Sequence, residues 1–250
     1  MTNNILQINN ISKTYHTIDG EIKAIDNISL KIKEGEFIAI VGSSGCGKST
    51  LLSILADLEK QSNGNYVFNK KNIKMGYMLQ KDALFPWLNI FENSILGLKI
   101  KHIDTNENKD YVKNLLITYG LKDFINKYPR ELSGGMRQRV ALIRTLAIKP
   151  DILLLDEAFS ALDYQTRLAV SEDVYKIIKK EKKTTIMVTH DLAEAISLAD
   201  RIVVLSSRPS KVKKIYDIKL SCEDSPIKRR KAKEFSDYYE SIWKDLDVNV

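Results

Sequence analysis

From residue 4 to residue 33, apolar and polar positions alternate, so that Ile28, Leu30 and Ile32 share one face and Ser29, Lys31 and Lys33 the other. A period of two predicts strands with one buried face. A Glu-Gly-Glu turn at 34–36 leads into FIAIV, Phe37 to Val41, where no position is polar. That run predicts a strand buried on both faces. A glycine-rich turn follows, then a helix containing LLSILADLEK. DILLLD (151–156), TTIMVT (184–189) and RIVVLS (201–206) are equally apolar, with helical stretches between them. Buried strands alternating with helices predict an α/β fold with a largely parallel sheet. Residues 84–149 are poor in strand signals and rich in helical ones, and are punctuated by Pro129 and Pro150. They read as a helical insertion. From about 211 the chain is more polar and basic. It closes on FSDYYESIW, where Tyr238, Tyr239, Ile242 and Trp243 predict one helix face packed on the domain. No linker is long enough to separate independent units. The expected organisation is one domain over 1–250, with a core of 1–83 and 150–210, the insertion 84–149 and a C-terminal extension 211–250.

Composition narrows the setting. Hydrophobic residues make up 44% of the chain, enough for a sizeable core and against disorder. The net charge of +7 suits phosphate ligands, an anionic membrane face or nucleic acid, without choosing among them. Cys46 and Cys222 are far apart and lack metal-ligand spacing, which predicts a reducing compartment rather than a disulfide framework. MTNNILQINN has no basic segment followed by a long apolar one, so no secretory leader is expected. No apolar run approaches the ~18 residues that span a bilayer.

Chemistry concentrates at the predicted strand ends. GSSGCGKS, Gly42 to Ser49, matches the phosphate-binding pattern G-x-x-x-x-G-K-[ST] between a buried strand and a helix. Its backbone N–H groups turn inward around phosphates, Lys48 adds a mobile charge, and Ser49 offers a hydroxyl to Mg²⁺. Cys46, between glycines, contributes backbone rather than thiol chemistry. ILLLDE, Ile152 to Glu157, ends in two carboxylates. Beside such a loop, Asp156 is the candidate for the Mg²⁺ shell and Glu157 for polarising the attacking water. His190 closes TTIMVTH and is placed to reach a γ-phosphate, because loops at carboxyl strand ends converge on the ligand crevice. Asp191 and Glu194 read as the cap of the next helix. Gln80 follows a short apolar run, and its amide is a candidate for Mg²⁺ or the water. Pro86 and Trp87 lie beyond it, as packing or as a docking surface. Tyr15 is a candidate to stack on an adenine, although a strand tyrosine is more often structural.

A second anion-binding sequence, LSGGMRQR, starts at Leu132. With it the set resembles the ATP-binding subunit of ABC transporters: phosphate loop Gly42–Thr50, Gln80, signature Leu132–Gln138, ILLLDE, SALD at 160–163 and His190, in family order over roughly 5–210. The resemblance implies a P-loop, RecA-like sheet with an N-terminal antiparallel β subdomain and a helical subdomain insertion. It implies ATP and Mg²⁺ as ligands. Gly42, Ser43, Ser44, Gly45, Cys46, Gly47, Lys48, Ser49 and Thr50 would hold the nucleotide, with Tyr15 on the base. Ser49, Gln80 and Asp156 would hold the metal, and Lys48, Gln80, Glu157 and His190 would serve hydrolysis. It further implies head-to-tail dimers in which Ser133, Gly134, Gly135 and Asp163 act in trans on the other copy's ATP. Arg137 and Arg139 would position the signature helix, which would start near Met136.

The stretches QKDALFPWLNIFENSILGL, DEAFSALDYQTR and VVLSSRPSKV are similar to nitrate, sulfonate, taurine and bicarbonate importers. That likeness implies membrane-spanning permease partners, docked near Gln80–Asn93, an extracytoplasmic solute-binding protein, and a peripheral place on the cytoplasmic face of the membrane. Ser43 and Ala158 stand where the family commonly has proline. The segment 62–80 is short, predicting a trimmed antiparallel edge strand. A soluble ABC-type ATPase acting on nucleic acid or ribosomes is the competing reading, encouraged by KRRKAK at 228–233. It is disfavoured by a single phosphate loop and by the short stretch between Lys48 and Ser133, so no nucleic acid partner is expected. An idle nucleotide-binding regulator is disfavoured by the complete set Lys48, Gln80, Asp156, Glu157 and His190.

Overall fold

The computed structural model describes residues 4–18, 20–160, 162–222 and 225–246. The alternating N-terminal segment forms an antiparallel hairpin of Asn4–Thr17 (β1) and Gly20–Lys33 (β2), with Ile8 opposite Leu30 and Ile11 opposite Ile28. Asn63–Phe68 (β4) adds to the free edge of β1, giving the order β2-β1-β4. The segment that looks short in sequence therefore still supplies an antiparallel edge strand.

The second sheet has the order β5-β6-β7-β3-β8-β9. Its strands are Phe37–Val41 (β3), Met75–Met78 (β5), Ile152–Asp156 (β6), Thr184–Val188 (β7), Arg201–Leu205 (β8) and Val212–Asp217 (β9). All neighbours are parallel except β8 with β9, which is antiparallel. Period-two geometry splits each buried strand between two cores. Ile38, Ile40, Ile152, Leu154, Ile186 and Val188 face one, with Lys48–Leu55 (α1) between this sheet and the hairpin sheet. Phe37, Ala39, Leu153, Leu155 and Met187 face the other, with most of the remaining helices. α1 is shorter than LLSILADLEK suggests. It stops at Leu55, and Asp57 turns left-handed at φ +57°.

Between β5 and β6 lie Ile90–Ile100 (α2), Asn106–Thr118 (α3) and Gly134–Ala147 (α4). α4 packs on α2, α3 and β5, and on Tyr164–Lys180 (α5). Contact with β5 depends on Gly76, because a Cβ there would lie 2.7 Å from Thr145 Cγ2. Leu192–Leu198 (α6) follows β7.

The chain closes with Pro226–Arg229 (α7) and Glu234–Asp245 (α8). KRRKAK is not a uniform solvated stripe. Arg229 is buried and donates to the carbonyl of Ala199 at 2.7 Å. The expected single packed face of α8 is only half right. Ile242 is fully buried and Tyr238 packs against the core, whereas Tyr239 and Trp243 are exposed and stack on each other with ring centroids 6.2 Å apart. Each adjacent pair is offset by ~100° around the helix, which carries one residue inward and the next outward. Ile242→Ala is expected to lower stability by ~2–5 kcal/mol, against under ~0.5 kcal/mol for Tyr239→Ala, in thermal or denaturant unfolding.

Candidate functional site

The loop after β3 turns on glycines. Gly45 and Gly47 sit at φ +72° and +112°, in the left-handed region open to glycine. Gly47 also has no room for a side chain: a Cβ would lie 3.1 Å from Ala24 O and 3.3 Å from Ser210 Oγ. Lys48 donates to the carbonyls of Gly42 and Ser43, both at 2.9 Å. Cys46 is buried beneath Gly42, and burial pushes its thiol pKa up, so it offers backbone rather than a reactive thiolate. Tyr15 lines the same cleft and donates to Glu59 Oε2 at 2.7 Å; its hydroxyl also meets Thr50 Oγ1 at 3.3 Å.

The end of β6 completes the other wall. Ser49 donates to Asp156 Oδ1 at 2.8 Å, and Tyr77 on β5 donates to Asp156 Oδ2 at 3.0 Å. Burial first, then the Asp156 charge, raises the Tyr77 pKa to about 12, so the phenol keeps the proton it donates. Glu157 is in the left-handed region at φ +44°, unusual for a side chain of its size and a mark of stored strain. Its amide donates to Val188 O at 2.9 Å and its carbonyl accepts from Ser160 N and Oγ. Glu157 Oε2 meets Gln80 Nε2 and His190 Nδ1, each at 3.2 Å. Gln80 also reaches Ser160 Oγ at 3.2 Å, so its amide sits with the Glu157 group rather than on Ser49 and Asp156. The cleft has a volume of about 410 Å³ and is lined by Tyr15, Ala24, Ser44, Gly45, Gly47–Thr50, Gln80, Glu157 and Arg208.

The second cradle lies elsewhere. None of Ser133, Gly134, Gly135 and Asp163 lines that cleft. Ser133 caps α4, accepting from Met136 N at 3.3 Å, so the helix starts at Gly134, two residues before the expected start. Gly135 is buried against its own chain, where a Cβ would lie 2.6 Å from Thr166 Cγ2. Asp163 caps α5, accepting from Thr166 N at 3.0 Å, while Ala161 of SALD lies outside the described residues. Arg137 pairs with Asp82 at 2.9 Å and Arg139 with Asp173 at 2.9 Å. Arg144 donates to the carbonyls of Asp82 and Ala83, both at 2.7 Å. Trp87 is exposed beside Phe85.

Behind His190, Asp191 caps α6 by accepting from Glu194 N at 3.0 Å. The Glu194 carboxyl does not return to Asp191 N. Thr189 Oγ1 accepts from that amide at 3.0 Å and donates to Glu194 Oε2 at 2.6 Å. Buried Glu194 has its pKa raised from 4.5 to about 7, chiefly by burial; the Thr189 hydrogen bond opposes this and the Asp191 charge adds to it. Arg167 ties the region together, meeting Asp191 at 3.1 Å and Leu162 O at 2.9 Å.

A glycine loop at a helix N-terminus, with two carboxylates and a histidine at neighbouring strand ends, defines a nucleoside triphosphatase of the P-loop class. A family profile described as ABC transporter matches residues 25–160. The chain is 44% identical over 248 residues to an uncharacterised ABC transporter ATP-binding protein, YtlC, of Bacillus subtilis, covering 97% of this chain and 95% of that one. It is 41% identical over 222 residues to the aliphatic sulfonates import ATP-binding protein SsuB of Bacillus cereus, covering 86% of each. A dimeric ATP-binding cassette solved in a post-hydrolysis state with ADP and Pi superposes with a TM-score of 0.73 at 32% identity, over 86% of this chain and 99% of that one. The chain belongs to the ABC transporter ATP-binding family, binds ATP and is an ATPase.

The geometry gives new roles to two residues, Tyr77, which no motif contains, and Glu194, expected only as part of a helix cap. Tyr77→Phe removes a hydrogen bond to a buried carboxylate and is expected to lower stability by ~1.5–3 kcal/mol, read as a drop in Tm. The other is Glu194. Its raised pKa means that the folded state keeps a proton the unfolded chain has lost, so stability falls as pH rises from 4.5 towards about 7. Glu194→Gln cannot lose that proton. The difference in Tm between wild type and variant should therefore shift in favour of the variant from pH 5 to pH 8; a constant difference would contradict the assignment.

Proposed function

We propose that this chain is the energy-coupling ATPase of an importer, working as a head-to-tail dimer around two ATP molecules. The observation that carries the reading is the placement of Ser133–Gly135 outside the cleft that holds Lys48 and Ser49. A cap that does not cover its own nucleotide supports a role on another copy's γ-phosphate. The N-terminus of α4, capped by exposed Ser133, offers N–H groups and positive dipole there. Asp163 would act across the same interface. Residues 84–149 would form the signature subdomain, on the nucleotide core of 1–83 and 150–210.

Within each cleft, the 42–50 loop grips the phosphates, with Lys48 between them and Tyr15 against the base. Ser49 and Asp156 fit Mg²⁺: a hydroxyl and a carboxylate oxygen 2.8 Å apart form a hard-oxygen pair at the phosphate end of α1. Bound there, Mg²⁺ would neutralise charge on the β- and γ-phosphates. Glu157 accepts the proton of the attacking water, and its strained turn aims the carboxylate. Gln80 and His190, both in contact with Oε2, orient that carboxylate and sense the γ-phosphate.

No helix among the described residues is long and apolar enough to cross a membrane, so separate permease subunits would carry the solute. Exposed Trp87 beside Phe85 supports 80–93 as the surface they dock on, and such docking would hold this chain at the cytoplasmic face of the membrane. An extracytoplasmic binding protein would deliver the solute. The solute would be of the nitrate, sulfonate or taurine type, a reading that likeness to a sulfonate import ATPase supports.

Glu157→Gln should bind ATP, hydrolyse it at least ~100-fold more slowly, and run as a dimer with ATP in light scattering. Equal turnover by variant and wild type would sink the role given to Glu157. Co-purification of a multi-spanning membrane protein with the tagged chain tests the importer reading.

A further inference from the structure

The loop 206–211, between β8 and β9, carries no role in the hydrolysis described so far, yet it forms one rim of the cleft. It is closed on itself: Ser206 N donates to Lys211 O, and Lys211 N to Ser206 Oγ, both at 3.0 Å. It is also pinned to β2. Asp26 N donates to Ser210 O at 2.9 Å, and Ser210 N donates to Ala24 O at 3.0 Å. Ser210 is fully buried, with its hydroxyl against the space a Gly47 side chain would need. The phosphate loop, β2 and the 206–211 loop therefore meet at one point, and the last cannot drift away from the first. From this anchored loop Arg208 projects into solvent and lines the cleft beside Tyr15, Ala24 and Gly47.

Sheet order fixes which part of the nucleotide it faces. β6 and β8 lie on opposite sides of β3, with β7 between β3 and β6. Glu157, Gln80 and His190 therefore flank the phosphate loop on one side and Arg208 on the other. Lys48 and Ser49 stand between them, at the β- and γ-phosphates. Tyr15 and Ala24, on the hairpin sheet, share the Arg208 end, where the sugar and base belong. Among the described residues, the acids of the wall, Asp156 and Glu157, lie at the far side, away from the guanidinium.

We propose that Arg208 is a nucleotide-binding residue that grips the α-phosphate from the β8–β9 loop, a second fixed cation beside Lys48. A guanidinium presents a rigid fork of donors that matches two phosphate oxygens, and it stays charged at every physiological pH. Its anchoring makes the contact preorganised: the loop is already held by backbone bonds, so binding orders only one side chain. Because the α-phosphate is common to ATP and ADP, the contact strengthens both equally. It contributes to holding product as much as substrate, and leaves discrimination to the γ-phosphate contacts. The proposal rests on ATP occupying the Gly42–Thr50 loop.

The test is calorimetric titration of the full chain with ADP and with a non-hydrolysable ATP analogue, at low and high salt, for wild type, R208A, R208K and K48A. R208A is expected to weaken both nucleotides by the same factor, about tenfold, and to flatten the salt dependence. R208K should recover part of the affinity and the full salt dependence, because it restores the charge without the fork. Unchanged affinity in R208A would overturn the proposal. A loss confined to the ATP analogue would also overturn it, by moving Arg208 to the γ-phosphate. A loss in R208A that R208K does not relieve at all, with a lowered Tm in both, would reduce Arg208 to a structural residue. Failure of wild type itself to bind either nucleotide would instead remove the ATP reading on which the proposal stands, a result the K48A control separates from the others.

Discussion

The fully buried central strands of the larger sheet dictate where this protein can keep its polar chemistry. β3, β6 and β7 are buried at every position, and helices or a second sheet cover both sides. An unpaired charge along these strands would be costly to desolvate. Polar side chains can therefore leave the sheet only at its ends, and parallel pairing brings those ends to one edge. Asp156 aligns with Val188, and Thr189 and His190 follow directly. The geometry of the site is thus a by-product of register: the strand alignment that fills the core also sets the carboxylates, the histidine and the phosphate loop side by side.

Glu157 is where this arrangement becomes strained. A buried strand must turn sharply into SALD, and the residue at the turn is a glutamate rather than a glycine. Its backbone is held on both sides, by Val188 O on its amide and by Ser160 on its carbonyl. Two neighbours then fix its carboxylate from separate elements, Gln80 after β5 and His190 after β7. Because those elements have different attachments, displacement of either one is felt at the same oxygen.

Much of this was legible in the sequence, for a definite reason. Buried strands announce themselves as uninterrupted apolar runs, and Gly42–Ser49, Asp156–Glu157 and His190 are each contiguous with one. The rest depends on which group a side chain meets once the chain is folded. Tyr77 reaches Asp156 because β5 pairs with β6, and its position in GYMLQ carries no trace of that. Glu194 looks like half of a capping box, but Thr189 takes the partner role and the carboxyl turns inward. The exposed side of α8 is hidden in the sequence because Tyr239 and Trp243 are as apolar as the neighbours that are buried; only the ~100° step between adjacent residues separates them. Gly135 reads as a phosphate-cradling glycine, and its immediate steric reason is Thr166 on α5.

The ties from α4 to the segment after Gln80 have a mechanical meaning. Arg137 holds the Asp82 side chain, and Arg144 holds the carbonyls of Asp82 and Ala83. The loop that leads to Trp87 is thus fastened to the helix that carries Ser133. Three bonds from two arginines make this connection a strut rather than a tether. Under the proposed role, a shift of α4 would reach the segment before Trp87 through these three bonds, and a push on that segment would return to the N-terminus of α4 by the same route.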